Sequence, residues 1–164
     1  VEAELKQLEP SLHPYVVRNL AYGSGKVGSI QVAAAMLEDL GVKPKGVAIL
    51  GVDQPVGVTV LATVATALQR GDETLVRPIW QGRHGHPLGL PISMLPELHS
   101  LSEESQGLHG LLRRHADRIV DLPVATERCL WNINSPEEYA KCKEGAKYEG
   151  AKYEGTKLYH NVDM

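Results

Sequence analysis

The sequence predicts a three-layer α/β/α domain built on a mainly parallel, mixed sheet, and three observations lead there. Segments with apolar residues at helical spacing alternate along the chain with short apolar runs bounded by glycine and proline. One of those runs, GVAILGVD, is apolar enough to be a strand buried on both faces, as strands of α/β sheets are. The 164 residues, 43% of them hydrophobic, suffice for one core that supports a site.

Each element has its own signal. Val1, Leu5 and Leu8 share a helical face, and Pro10 ends that helix before an extended piece around Tyr15 to Arg18. The stretch YGSGKVGS, Tyr22 to Ser29, has the composition of a phosphate loop without its spacing. A Walker-type loop places Gly or Ala, four residues, then Gly-Lys-Ser/Thr, whereas Leu20 and Val27 stand at those two ends here. The stretch therefore reads as a glycine-rich connection, with Ser29 as the N-cap of a helix carrying Ile30, Ala33, Ala34, Leu37 and Leu40 and stopped by Gly41. GVAILGVD runs to a turn at Asp53 to Pro55. Leu61, Val64, Ala65 and Leu68 mark a second helix, and LVRPIWQ reads as a strand ending at a loop, GRHGHP. Leu108, Leu111, Leu112 and His115 give another helix, followed by short strands at RIVDLPV and CLWNIN. SPEE starts a last helix, with Ser135 as cap, Pro136 in the first turn, Glu137 favoured by the helix dipole and Glu138 returning a bond to the cap. Residues 1–143 form the expected domain. The repeat GAKYEGAKYEGTK within residues 144–164 is a biased tail, expected to be mobile or loosely helical.

The net charge of −3 supplies no basic field, so neither nucleic acid nor an anionic membrane is an expected partner, and small molecules are. No apolar run reaches the length of a membrane span and no secretory pattern opens the chain, which points to a cytoplasmic protein. Cys129 and Cys142 make no framework and are read as reduced and structural. The chain opens at Val1 rather than methionine, which is compatible with a fragment of a longer protein.

Ligands of α/β sheets bind beyond the carboxyl ends of the strands, which singles out Asp53. Its carboxylate there would bridge Mg²⁺ to phosphate oxygens, or else bond the backbone of its own turn. Arg83 suits a phosphate or carboxylate, and His84 and His86 are spaced to share a metal without an evident third ligand. His13, His99, His109, His115 and His160 are scattered and read as surface or core residues. Asn132 and Asn134, flanking Ile133 on a strand, would face one way and hold a polar ligand or a metal, or cap the helix that follows.

Three landmarks, ILGVDQP, RPIWQGRHGHPLGL and WNINSPEEY, in that order, resemble the MobA-like molybdopterin nucleotidyltransferases. RNLAYGSGKVGSIQVAAAML is similar to the segment of that family in which an asparagine and a glycine-rich loop precede a helix facing the nucleotide. The likeness covers about residues 1 to 140 and implies a Rossmann-like nucleotidyltransferase fold. The implied reaction transfers a CMP or GMP moiety from CTP or GTP to a phosphorylated acceptor such as molybdopterin, with Mg²⁺. By the same resemblance Asp53 is catalytic and a metal ligand together with Asn134. Gly23, Gly25 and Ser29 lie near the nucleotide, and Arg83, His86, Asn132 and Asn134 near the acceptor. The family's opening strand and its loop, Leu-x-x-Gly-x-Ser-x-Arg-Met-Gly-x-x-Lys, have no counterpart here. The expectation is that the sheet lacks its first strand or is completed by a second copy, and that the chain alone is a weak or inactive transferase. The alternatives are a noncatalytic binding or assembly module and a sugar-nucleotide transferase.

Overall fold

A computed structural model describes residues 15–153. The helix expected at Val1 to Leu8 and the end of the tail, 154–164, lie outside the described residues. Tyr15 to Asn19 carry no regular element.

The described residues form a five-stranded mixed sheet with helices on both faces. Strand β1 is Gly46–Ile49, β2 Leu75–Trp80, β3 Arg83–His84, β4 Leu88–Pro91 and β5 Ile119–Pro123. β2 is the hub. One of its edges pairs in parallel with β5, from Leu75↔Ile119 to Ile79↔Pro123. On the other edge the chain reverses through Gln81 (φ 47°) and Gly82 (φ 76°) into β3 and then β4, both antiparallel to β2. β1 lies outside β4, antiparallel to it from Gly46↔Pro91 to Ile49↔Leu88. Thus β1, β2 and β5 point one way and the β3–β4 segment the other.

Helices α1 (Val27–Asp39), α3 (Leu95–His99) and α4 (Gly107–Arg114) cover one face. Their Val27, Ala34, Leu95, Leu98 and Leu111 join Leu75, Leu88 and Leu90 of the sheet in the main core. Helix α2 (Val58–Gln69) covers the other face through Val60 and Val64, both 0% exposed. Gly89 of β4 makes this close approach possible, since a Cβ there would lie 2.5 Å from Val76 Cγ2 and 3.1 Å from Val64 Cγ1. Helix α5 (Pro136–Tyr153) closes the described chain, so the biased repeat begins as a continuation of that helix. Among the described residues no helix is long and apolar enough to cross a membrane.

Four local expectations are corrected. Helix α1 begins at Val27, which puts Ser29 inside its first turn rather than at its cap. GVAILGVD is a strand only over Gly46–Ile49 and is half-buried with Ala48 exposed, because β1 stands at the sheet's edge among the described residues. GRHGHP is a loop only in part: Arg83–His84 form β3, the start of the return strand, and β4 after it is buried at every position. CLWNIN is not a strand. Glu127–Leu130 is a 3₁₀ turn, begun by Arg128 N donating to the Thr126 hydroxyl (3.3 Å), and 131–134 is irregular. The α5 start is close to expectation. Ser135 Oγ accepts from Glu138 N (3.2 Å), while the Glu138 carboxylate accepts from Asn134 N (2.6 Å), one residue before the cap.

Leu90→Ala is expected to destabilise the domain by about 2–5 kcal/mol, lowering Tm by roughly 4–20 °C in thermal unfolding. Gly89→Ala is expected to cost about 1–3 kcal/mol by overpacking against α2. Val120→Ala, at a 42% exposed position of β5, should stay within about 0.5 kcal/mol of the parent.

Candidate functional site

The carboxyl end of β1 leads into the turn that carries Asp53. The backbone of that turn is satisfied by its neighbour. Gly51 N donates to Gln54 Oε1 (2.8 Å), Gln54 N to Gly51 O (3.1 Å) and Val56 N to Gln54 O (2.8 Å). The Asp53 carboxylate instead folds over Gly51, where a Cβ would collide with its Oδ1. Among the described residues it has neither a hydrogen bond nor an ion pair, so local turn bonding does not account for it.

The main chain of Asp53 joins the 131–134 segment, since Ile133 N donates to Asp53 O (2.7 Å). This bond brings Asn132 and Asn134 to the turn although no strand carries them. The two asparagines differ in surroundings. Asn132 lines a cavity of about 520 Å³ with Leu130, Trp131, Ile133 and Glu138, and the main-chain N of Asn134 donates to the Glu138 carboxylate. Neither Asp53 nor His86 is among the walls of that cavity. The indole of Trp131 has the Arg128 guanidinium 5.1 Å from its ring centroid.

His86 reaches the site through a bulge. Gly85 N donates to Pro78 O (2.8 Å), yet Val76 already faces Gly89, so His86 and Pro87 are extra in the return strand. Bulges of this kind re-aim a side chain, and here His86 N is held by Cys129 O at 2.7 Å. Gly85 is required beneath it, because a Cβ would strike the Cys129 carbonyl. Burial holds the His86 imidazole below the ordinary histidine range; the Asp53 carboxylate pulls the other way and the Lys26 ammonium adds to the depression. Asp53, His86 and Lys26 therefore share one electrostatic neighbourhood. His84 turns elsewhere: its Nε2 lies 3.3 Å from Asp121 Oδ2, and Asp121 also accepts from Arg77 Nε at 2.6 Å. The two histidines do not converge on one metal. Arg83 is exposed on β3, opposite Trp80, and its charge is felt by the buried Cys129, whose thiol burial pushes up. Cys129 is 0% exposed and Cys142 half-buried, both unpaired.

The glycine-rich stretch stands at the start of α1. Gly23 lies in an exposed 3₁₀ turn with open space around its Cα, Gly25 has φ 117°, and Ser29 Oγ accepts from Asn19 Nδ2 (3.0 Å). Val27 N donates to Glu103 Oε1 at 3.0 Å.

The sequence pattern of the MobA-like NTP transferase domain matches residues 2–119. The chain belongs to that family. Among solved structures it is similar to a molybdopterin-guanine dinucleotide biosynthesis protein A from Archaeoglobus fulgidus. Their identity is 19% over 90% of this chain and 76% of that one, with a TM-score of 0.52. A likeness at that identity is one of fold. No curated protein sequence matches the chain. Three further residues enter this geometry without having been singled out by a motif: Lys26, Gln54 and Glu103. Only Lys26 had a visible signal, its position within the glycine-rich stretch.

Because the folded chain binds a proton on His86 less readily than the unfolded chain, stability from this group is complete above the ordinary histidine pKa and declines as pH falls below it. By NMR titration, His86 should show a midpoint below about 6.5. Asp53→Asn should move it lower still, and Lys26→Met should move it up.

Proposed function

We propose that this chain is a nucleotidyltransferase acting at the rim formed by Asp53, His86 and the 131–134 segment, on CTP or GTP and a phosphorylated acceptor such as molybdopterin. One observation carries the reading. The 2.7 Å bond from Ile133 N to Asp53 O sets a carboxylate with no hydrogen bond or ion pair among the described residues beside a stretch bearing two amide side chains. The family supplies the reaction class, and the likeness to a molybdopterin-guanine dinucleotide biosynthesis protein from Archaeoglobus supports the choice of acceptor.

The donor set fits a hard divalent cation such as Mg²⁺, which is held by one or two carboxylates together with water and substrate phosphates. Asp53 and Asn134 would hold it, and when bound it would neutralise charge developing on the polyphosphate. Among the described residues no group of three or more His, Cys, Asp or Glu offers a closed cage instead. Gly23, Gly25 and Ser29 would face the nucleotide, with Lys26 adding a cation. Arg83, His86 and Asn132 would face the acceptor. An acceptor phosphate oxygen forms a bond to the α-phosphorus, the bond from that phosphorus to the bridging oxygen breaks, and pyrophosphate leaves with the electron pair. The attacking oxygen is already ionised at neutral pH, so the work of the chain is positioning and charge stabilisation. A His86 kept neutral by burial can orient the acceptor without adding charge. The reaction would take place in the cytoplasm.

NMR titration with Mg·CTP and Mg·GTP is expected to give weak binding by the chain, with shifts at Asp53, Lys26 and Asn134. Asp53→Ala should remove the magnesium-dependent part of the affinity, and Lys26→Ala should weaken binding about tenfold or more, the scale of a charge-assisted phosphate contact. Equal binding by Asp53→Ala and the parent would overturn the assignment. Binding with no pyrophosphate release in the presence of acceptor would favour the noncatalytic module, and turnover of sugar phosphates would move the acceptor class.

A further inference from the structure

Helix α1 does not cap itself. Its N-cap residue, Lys26, has helical torsions (φ −76°, ψ −27°) and no side chain of the adjoining stretch accepts from the first turn. The cap comes from the loop between α3 and α4, where Glu103 Oε1 accepts from Val27 N at 3.0 Å across 76 residues of sequence. The same carboxylate lies over Gly25, so that a Cβ there would collide with it, and the φ of 117° at Gly25 is one that side chains rarely adopt.

The loop that presents Glu103 is braced. Gln106 N donates to Glu103 O (3.0 Å), Gly107 N to Ser102 O (2.9 Å), and Ser102 and Ser105 exchange hydrogen bonds of 3.0 and 3.2 Å. Leu101, 3% exposed, anchors the loop in the core. Two further contacts tie it to the same helix. Gln31 Nε2 donates to His99 O (2.9 Å) and Leu101 O (3.0 Å), and Gly107 approaches so closely that a Cβ would lie 3.0 Å from Val27 Cγ2. The glycine-rich stretch thus takes its position from a loop in the same helical layer that is distant in sequence.

We propose that Glu103 is a positioning residue of the nucleotide site: by capping α1 from the α3–α4 loop it holds the Gly25–Val27 backbone, and with it the Lys26 side chain, where a polyphosphate would meet them. This rests on the nucleotide-binding reading given above. The ammonium of Lys26 lies within electrostatic reach of His86, so the helix start and the rim are neighbours. The role has a sign that distinguishes it from plain electrostatics. Removing a negative charge beside a polyanion site strengthens binding by Coulomb's law, whereas removing a brace weakens it.

Three variants of the full chain separate the two. Glu103→Gln keeps an acceptor oxygen for Val27 N and loses the charge, Glu103→Ala loses both, and Glu104→Gln removes the same charge one residue away. In NMR titration with Mg·CTP and Mg·GTP, Glu103→Ala should bind roughly five- to tenfold more weakly than the parent, as the loss of a cap predicts. Its Val27 amide should also exchange faster. Glu103→Gln and Glu104→Gln should bind at least as tightly as the parent and keep Val27 protected. Should Glu103→Ala fail to fold, Glu103→Asp, which keeps the charge but withdraws the oxygen by one methylene, carries the same expectation of weakened binding. Unchanged or tighter binding by Glu103→Ala, or a Gln variant as weak as the Ala variant, overturns the positioning role and leaves the site itself standing. A parent chain that binds neither nucleotide overturns both.

Discussion

The structure depends on β4, four residues hydrogen-bonded on both edges and covered on both faces. It is the partner through which β1 joins the rest of the sheet, so the direction of β1, and therefore the place where its last residue gives way to the Asp53 turn, is set by the pairing of Gly46–Ile49 with Leu88–Pro91. The same return strand carries the bulge at His86 and Pro87. One hairpin thus determines the position of two site residues that are far apart in sequence. A buried glycine at its centre, Gly89, lets α2 close on the sheet at van der Waals distance, and the rim would loosen if that contact were lost.

Much of this was legible in the residues. The spacing of Ile30, Ala34 and Leu37 and of Leu108, Leu111 and Leu112 identifies α1 and α4, because each has one face against the sheet. The apolar spacing of Leu61, Val64 and Leu68 finds α2 but misplaces its face: Val60 and Val64 are buried, whereas Leu61 is exposed. LVRPIW and IVDLP identify β2 and β5, where β-branched residues are plentiful. β4 was not legible, since Leu-Gly-Leu-Pro contains no β-branched residue and two that strands disfavour; only the tertiary need for a small residue beneath Val64 explains it. The turn at Glu127–Leu130 escaped for a similar reason. Its apolar Cys129 and Leu130 look like strand, but the Cys129 carbonyl is used by His86 rather than by a neighbouring strand. The short α3, with a proline in its first turn, carries too little periodicity to be recognised.

The site divides along the same line. Asp53 could be chosen from sequence because a strand end is a position with known consequences in α/β sheets. Asn132 and Asn134 were chosen on an alternation that does not exist in the fold, and they come to Asp53 by a main-chain bond that no local pattern announces. Glu103 belongs to no motif. Its importance follows from a contact between segments that only folding brings together, and from the absence of a capping side chain in the stretch it serves.

At the Asp53 corner, the bend and the carboxylate belong to adjacent but different side chains: the Gln54 amide secures the bend, and the neighbouring acid is left out of it. Such a division leaves the shape of the corner independent of that acid. The acid can be exchanged for other groups while the corner keeps its shape, so this position is open to redesign of ligand preference without rebuilding the scaffold beneath it.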